Sequence, residues 1–119
     1  MCGIAGGLGF SEYNLKNVLS SIKHRGPDSD GVFVDNDLFL CHTRLSIQDT
    51  SISADQPMYS HDKRYVIVFN GEIYNHKLIR NNITHNFTST GDTETVLYAF
   101  IKYGEEVLNM LNGIFSFAI

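Results

Sequence analysis

Residues 64–72 read R-Y-V-I-V-F-N-G-E, and this stretch decides the fold class. Arg64 to Phe69 is rich in β-branched and aromatic residues, the composition that suits a pleated, half-buried surface. It predicts a strand that ends at Asn70-Gly71. Outward from it, residues 46–63 form a polar connection containing Gln56-Pro57, and a short helix is expected near Asn75 to Arg80. Upstream, Gly31 to Val34 and Leu38 to Leu45 read as two strands joined by turn chemistry at Asp35-Asn36-Asp37. Between Asn14 and His24, Leu15, Val18, Leu19 and Ile22 recur at i, i+3, i+4 and i+7, the stripe of an amphipathic helix. Arg25-Gly26-Pro27-Asp28 breaks it. Residues 2–10, C-G-I-A-G-G-L-G-F, read as a buried strand or tight turn approached closely by other backbone.

Downstream, Thr90-Gly91-Asp92-Thr93-Glu94 is a helix start in which Asp92 or Thr90 can cap the first turn. Val96, Leu97, Phe100 and Ile101 are expected on its core face, with Gly104 as the stop. Glu105 to Leu111 reads as a short helix and Ile114 to Ile119 as a strand. The pattern stops on an apolar residue inside a strand, an edge that natural proteins cover or charge. That predicts a front part of a longer protein, and an uncovered edge favours a homo-oligomer.

Composition narrows the function classes. A chain of 119 residues is one domain's worth, and 43% hydrophobic against 18% charged residues is enough to form a core. Nine basic against 13 acidic residues give a net charge of −4, which argues against a nucleic-acid binder. No apolar run approaches the roughly 18 residues a membrane span requires. No secretory signal is readable, and two cysteines do not make a disulfide scaffold; a cytoplasmic protein is expected. Cys41-His42 and His24 lack the four ligands at recognisable spacing of a structural zinc site, so no metal is expected and Cys41 reads as a packed thiol.

Four positions carry candidate chemistry. Cys2 is either a buried small hydrophobe or a nucleophile. Removal of Met1 would place a thiol and a free α-amine on one residue, and an amine titrating near ~7.7–8.0 can act as base for its own side chain. Asn70-Gly71 is either a hairpin turn or an oxyanion hole, an Asn N–H₂ and a Gly N–H converging on a tetrahedral oxygen. Arg44 is either a surface charge or a bidentate clamp on a carboxylate. Asp92 is either a helix cap or the partner of an ammonium group. Arg44 and Asp92 together would bracket the charged ends of a free α-amino acid.

The order of these motifs is more specific than any one of them. M-C-G-I-A-G at 1–6, H-R-G-P-D at 24–28, H-T-R-L-S-I-Q-D at 42–49, Q-P-M at 56–58, F-N-G-E-I-Y-N-H at 69–76, G-D-T-E-T-V-L at 91–97 and L-N-G-I-F-S-F-A-I at 111–119 follow one another. This series resembles the N-terminal glutaminase domain of glutamine-hydrolysing asparagine synthetases. These are class II glutamine amidotransferases of the N-terminal-nucleophile hydrolase type. The resemblance implies an α+β fold, a four-layer α-β-β-α sandwich of two stacked antiparallel sheets, incomplete at its C-terminus. It implies Cys2 as nucleophile with Asn70 and Gly71 as oxyanion hole. It implies a glutamine pocket of Arg44, Leu45, Ser46, Ile47, Gln48, Glu72 and Asp92. L-glutamine is then the substrate, and ammonia passes to a C-terminal synthetase domain, absent from this sequence, that uses ATP and magnesium. No cofactor is implied for the chain itself.

Overall fold

The computed structural model describes residues 2–9, 11–47 and 49–119. Met1, whose removal the nucleophile requires, and Gln48, implied in the glutamine pocket, lie outside the described residues.

The stretch quoted above becomes β5, Val66–Ile73. It pairs antiparallel on one side with the two-residue strand β4, Met58–Tyr59, and on the other with β6, Gly113–Ala118. The strand does not end at Asn70-Gly71. It continues to Ile73, with Asn70 opposite Ser116 and Gly71 opposite Phe115. Asn-Gly makes a hairpin when the partner strand follows at once. Here the partner comes from the far end of the chain, so the long-range ladder overrides the local turn signal. Gly71 is required for another reason. Its φ is +154°, and a Cβ there would stand 2.3 Å from the Ile114 carbonyl oxygen and 2.6 Å from Phe115 Cα.

A second three-stranded antiparallel sheet has the order β1-β3-β2, from Gly3–Leu8, Leu38–Arg44 and Ser29–Asp35. Within the 2–10 stretch, Gly3–Leu8 is thus an edge strand whose residues are mostly half-buried or exposed, not a buried one, and Phe10 lies outside the described residues. Asn36, at φ +53°, sits in the turn between β2 and β3, as the Asp-Asn-Asp composition predicts.

Helices cover the outer faces. Helix α1, Glu12–Ile22, is capped by Ser11, whose hydroxyl accepts from the Asn14 N–H at 3.3 Å. It lies on the first sheet, where the buried Thr43 hydroxyl donates to the Ile22 carbonyl at 2.9 Å. On the far side α2, His76–Arg80, and α3, Asp92–Tyr103, cover the second sheet. Gly104 stops α3, and α4, Val107–Met110, leads into β6. Between the sheets Val68, Ile4 and Leu40 line a common apolar cavity. The layers run α-β-β-α.

The core lies between the second sheet and its helices, from Ile67, Phe69 and Ile73 to Val96, Leu97, Ala99 and Val107. Each Val, Leu or Ile buried in this way contributes roughly 1.5–3 kcal/mol. Ile101 is not part of it, being 37% exposed. The start of α3 is enclosed on every side, with residues 92–97 all buried, so Ala99 rather than Ile101 continues the inward face. Cys41 is fully buried, and burial raises its thiol pKa. His42, also fully buried, is pushed down to about 4 by desolvation, against an opposing pull from the Phe69 backbone. No helix among the described residues is long and apolar enough to cross a membrane.

Candidate active site

A cavity of about 230 Å³ opens where the end of β3, the middle of β5 and the start of α3 converge. Cys2, Arg44, Gly71 and Asp92 line it, from four separate segments of the sequence. Leu45, Ser46, Ile47 and Glu72 complete the part of the wall that sequence reasoning anticipated. Asn70 is not on this wall. It is half-buried, and its Oδ1 is buried without a hydrogen-bond partner.

Cys2 is placed by the ladder that follows it. Gly3 pairs with Thr43, so the residue before Gly3 arrives beside the residues after β3. The Leu45 N–H donates to Cys2 Sγ at 3.4 Å, and the thiol lies 3.8 Å from the Leu45 carbonyl oxygen. Cys2 is half-buried and unpaired with any other cysteine.

The H-R-G-P-D segment supports the same corner. Gly26 packs so tightly that a Cβ would stand 2.3 Å from the Thr43 carbonyl. The Asp28 N–H donates to the Arg44 carbonyl at 3.0 Å, and the Asp28 carboxylate accepts from the Ser46 N–H at 2.7 Å. The loop after β3 is therefore held in place from behind.

Arg44 is not a surface charge, being 6% exposed. Its Nη1 donates to the Ser51 carbonyl at 3.0 Å and to the Asp55 carboxylate; its Nη2 donates to the Asp49 carbonyl. Asp55 itself stays largely exposed. A buried guanidinium beside one carboxylate can exchange it for, or share it with, that of a ligand.

Asp92 corrects the sequence reading in a different way. The helix is capped by Gly91 with no side-chain capping bond, and Asp92 is its first residue. The Asp92 side chain turns toward the sheet, where Oδ2 accepts from the Ile73 N–H at 2.9 Å. Burial raises its pKa, opposed by that N–H and by His76, and reinforced by the nearby Glu72 carboxylate. The result is a buried carboxylate on the cavity wall, with no cation bonded to it among the described residues, a surrounding that favours an incoming ammonium group.

Three contributors were not legible as site residues. Gln56 accepts from the Phe69 N–H at 2.6 Å and donates to the Thr93 hydroxyl at 3.3 Å, joining β5 to α3. Arg80 donates to the Ser89 and Gly91 carbonyls at 2.8 and 2.6 Å, fixing the approach to α3. Asp49 lines the cavity and binds the Thr90 backbone. Each bond joins segments far apart in sequence, so no local spacing announces it. No cluster of three or more His, Cys, Asp or Glu among the described residues is arranged to hold a metal ion.

Two antiparallel sheets between helices thus hold a thiol, a guanidinium and a carboxylate around one cavity. The whole chain, residues 1–119, matches the family model of the glutamine amidotransferase domain, and the chain belongs to that family. Among curated proteins it is similar to asparagine synthetase [glutamine-hydrolyzing] 2 of Oryza sativa subsp. japonica, 39% identical over 126 residues that take in 100% of this chain and 21% of the relative. It is likewise similar to asparagine synthetase [glutamine-hydrolyzing] of Zea mays, 40% identical over 100% of this chain and 21% of the relative. Asparagine synthetase [glutamine-hydrolyzing] 3 of Arabidopsis thaliana is 39% identical, over 100% of this chain and 22% of its own length. The chain spans about a fifth of the length of the curated relatives it matches.

Proposed function

We propose that this domain hydrolyses L-glutamine to glutamate and ammonia through a thioester on Cys2. The observation that carries the reading is the single cavity that brings the Cys2 thiol together with Arg44 and Asp92. Once Met1 is removed, the Cys2 α-amine accepts the thiol proton and Sγ attacks the side-chain amide carbon. A C–S bond forms and the carbonyl oxygen becomes an oxyanion, received by the Gly71 N–H and, once its side chain turns in from outside the cavity wall, by the Asn70 carboxamide. Each such donor supplies roughly 2.7–4 kcal/mol of transition-state stabilisation. The α-ammonium returns the proton to the leaving nitrogen, the C–N bond breaks and ammonia departs. Water then adds to the thioester, releasing glutamate and restoring the thiol.

Arg44 receives the α-carboxylate and Asp92 the α-ammonium. Leu45, Ser46, Ile47 and Gln48 form the loop against the substrate, with Glu72 at the opposite wall. In a full-length protein the ammonia would serve aspartate amidation by a synthetase domain using ATP and magnesium, in the cytoplasm; no cofactor is assigned to the domain itself, and a homo-oligomer is part of this reading. Support comes from the family membership and from relatives named as glutamine-hydrolysing asparagine synthetases.

The test compares the Met1-free protein with Cys2→Ala, measuring glutamate release and calorimetric glutamine binding. Release that vanishes in the variant while binding persists is the expected result. Binding without release in the parent protein would favour a glutamine-binding module without turnover. Undiminished release from the variant would remove Cys2 from the mechanism.

A further inference from the structure

The loop after β3 (45–57, of which 45–47 and 49–57 are described) and the start of α3 meet at the cavity, joined by the Gln56–Thr93 hydrogen bond and, nearer Arg44, by the Asp49 side chain. The Asp49 carboxylate accepts from the Thr90 N–H at 2.7 Å and from the Thr90 hydroxyl at 3.0 Å. Its other oxygen accepts from the Ser51 N–H at 2.9 Å and from the Ser51 hydroxyl at 2.5 Å. Asp49 Cβ lies 3.7 Å from the point where a Gly91 Cβ would be, so the side chain rests against the residue that caps α3. Its backbone is committed as well, because the Asp49 carbonyl accepts from Arg44 Nη2. One residue thus touches the guanidinium directly and holds the turn that begins at Thr90 and delivers Asp92.

We propose that Asp49 is a positioning residue for glutamine: its carboxylate latches the 45–57 loop to the start of α3 and so sets the separation between Arg44 and Asp92. This rests on the reading of those two residues as the receivers of the α-carboxylate and the α-ammonium. The physical reason is two-point binding. A ligand that must meet both groups at once depends on their spacing, and a misplacement of about 1 Å can cost about 10²-fold. A ligand that meets only one of them follows that group wherever it sits. The four donors hold the Asp49 carboxyl well below the usual carboxylate range, so the latch stays ionised and closed across ordinary working pH. Arg80, bonded to the Ser89 and Gly91 carbonyls, supports the Thr90-Gly91 turn on its other flank and keeps the latch from being offset by a drifting helix start.

The discriminating probes are L-glutamine and glutaramic acid, which keeps the amide and one carboxylate but lacks the α-ammonium. Both are titrated calorimetrically into the Met1-free protein and into Asp49→Asn, Asp49→Ala, Thr90→Ala and the double variant Asp49→Ala/Thr90→Ala. Absence of glutamine binding in the parent protein would reject the glutaminase reading itself, before any variant is compared. With parent binding established, Asp49→Ala should weaken glutamine at least about tenfold while glutaramic acid changes less than about threefold, so that the preference collapses. Asp49→Asn, which keeps the volume but presents an N–H₂ where an acceptor is needed, should give the same pattern in smaller measure. Thr90→Ala should add little on top of Asp49→Ala, since both open one latch. Glutamate release at saturating glutamine should stay within about threefold of the parent, with the loss in KM. Equal weakening of both ligands would show a general disturbance of the fold and overturn the proposal. So would unchanged glutamine affinity in both Asp49 variants, or fully additive Asp49 and Thr90 effects.

Discussion

Asp92 Oδ2 accepts the Ile73 N–H at 2.9 Å, so the residue that opens α3 is bonded to the last residue of β5. The carboxylate is buried and its pKa is raised, chiefly by desolvation. A raised carboxylate pKa contributes stability below the unfolded value that is lost as pH rises through the folded value. Asp92→Asn keeps an oxygen for the Ile73 N–H and removes the buried charge. The variant should be at least as stable as the parent at pH 7 by urea denaturation, yet bind glutamine at least about tenfold more weakly, the loss expected of one charge-assisted bond. Parent glutamine affinity should fall on acidification from above the ordinary carboxylate range, and that dependence should be absent from Asp92→Asn.

Gly71→Ala tests the close approach of β5 and β6. A Cβ would meet the Ile114 carbonyl oxygen at 2.3 Å on a backbone with φ of +154°. Both strands would have to shift, and the expected loss is at least about 2 kcal/mol of stability, read as a lowered denaturation midpoint.

These positions also show how far local patterns reach. The β-branched run of β5, the apolar stripe of α1 and the Gly104 stop were legible because each follows from neighbouring residues. The strand end at Asn70-Gly71, the Asp92 cap and Ile101 as a core residue differ in the structure for one reason. A partner distant in sequence outweighs the local preference: β6 for Asn70-Gly71, the Ile73 N–H for Asp92 and the enclosure of the α3 start for Ile101. Of the candidate site, Cys2, Arg44, Gly71 and Asp92 were legible from their chemistry and do share a cavity, whereas Asn70 stands off its wall. The acceptors that occupy Arg44, from Ser51, Asp49 and Asp55, depend on how one loop folds back, and no spacing reveals that.

Glu94 is a second buried carboxylate with the opposite balance. Burial alone would raise its pKa, but the Ser89 hydroxyl, the Thr88 and Ser89 N–H groups and His85 outweigh that and hold it low. Its stabilising effect is present above the unfolded carboxylate pKa and lost as pH falls through the folded value. Glu94→Gln turns an N–H₂ toward some of these donors and should cost roughly 1–3 kcal/mol at pH 7. Denaturation curves for parent and variant should converge as the pH drops below the usual carboxylate range.

Arg44→Lys keeps the charge and loses the fork. One ammonium cannot reach the Ser51 and Asp49 carbonyls and the Asp55 carboxylate in the same geometry. The variant should raise KM for glutamine by at least about tenfold and should lower the thermal midpoint, because the Ser51 and Asp49 carbonyls lose their donors.

The most direct measurement is the site of covalent capture by a glutamine analogue with a chloromethyl ketone in place of the amide, which leaves a stable thioether as chloride departs. Peptide mapping of the Met1-free protein should find one adduct, on Cys2, suppressed by excess L-glutamine, with the buried Cys41 unmodified. Labelling at Cys41 instead, or at Cys2 with no protection by glutamine, would contradict the assignment of this cavity as a glutaminase site.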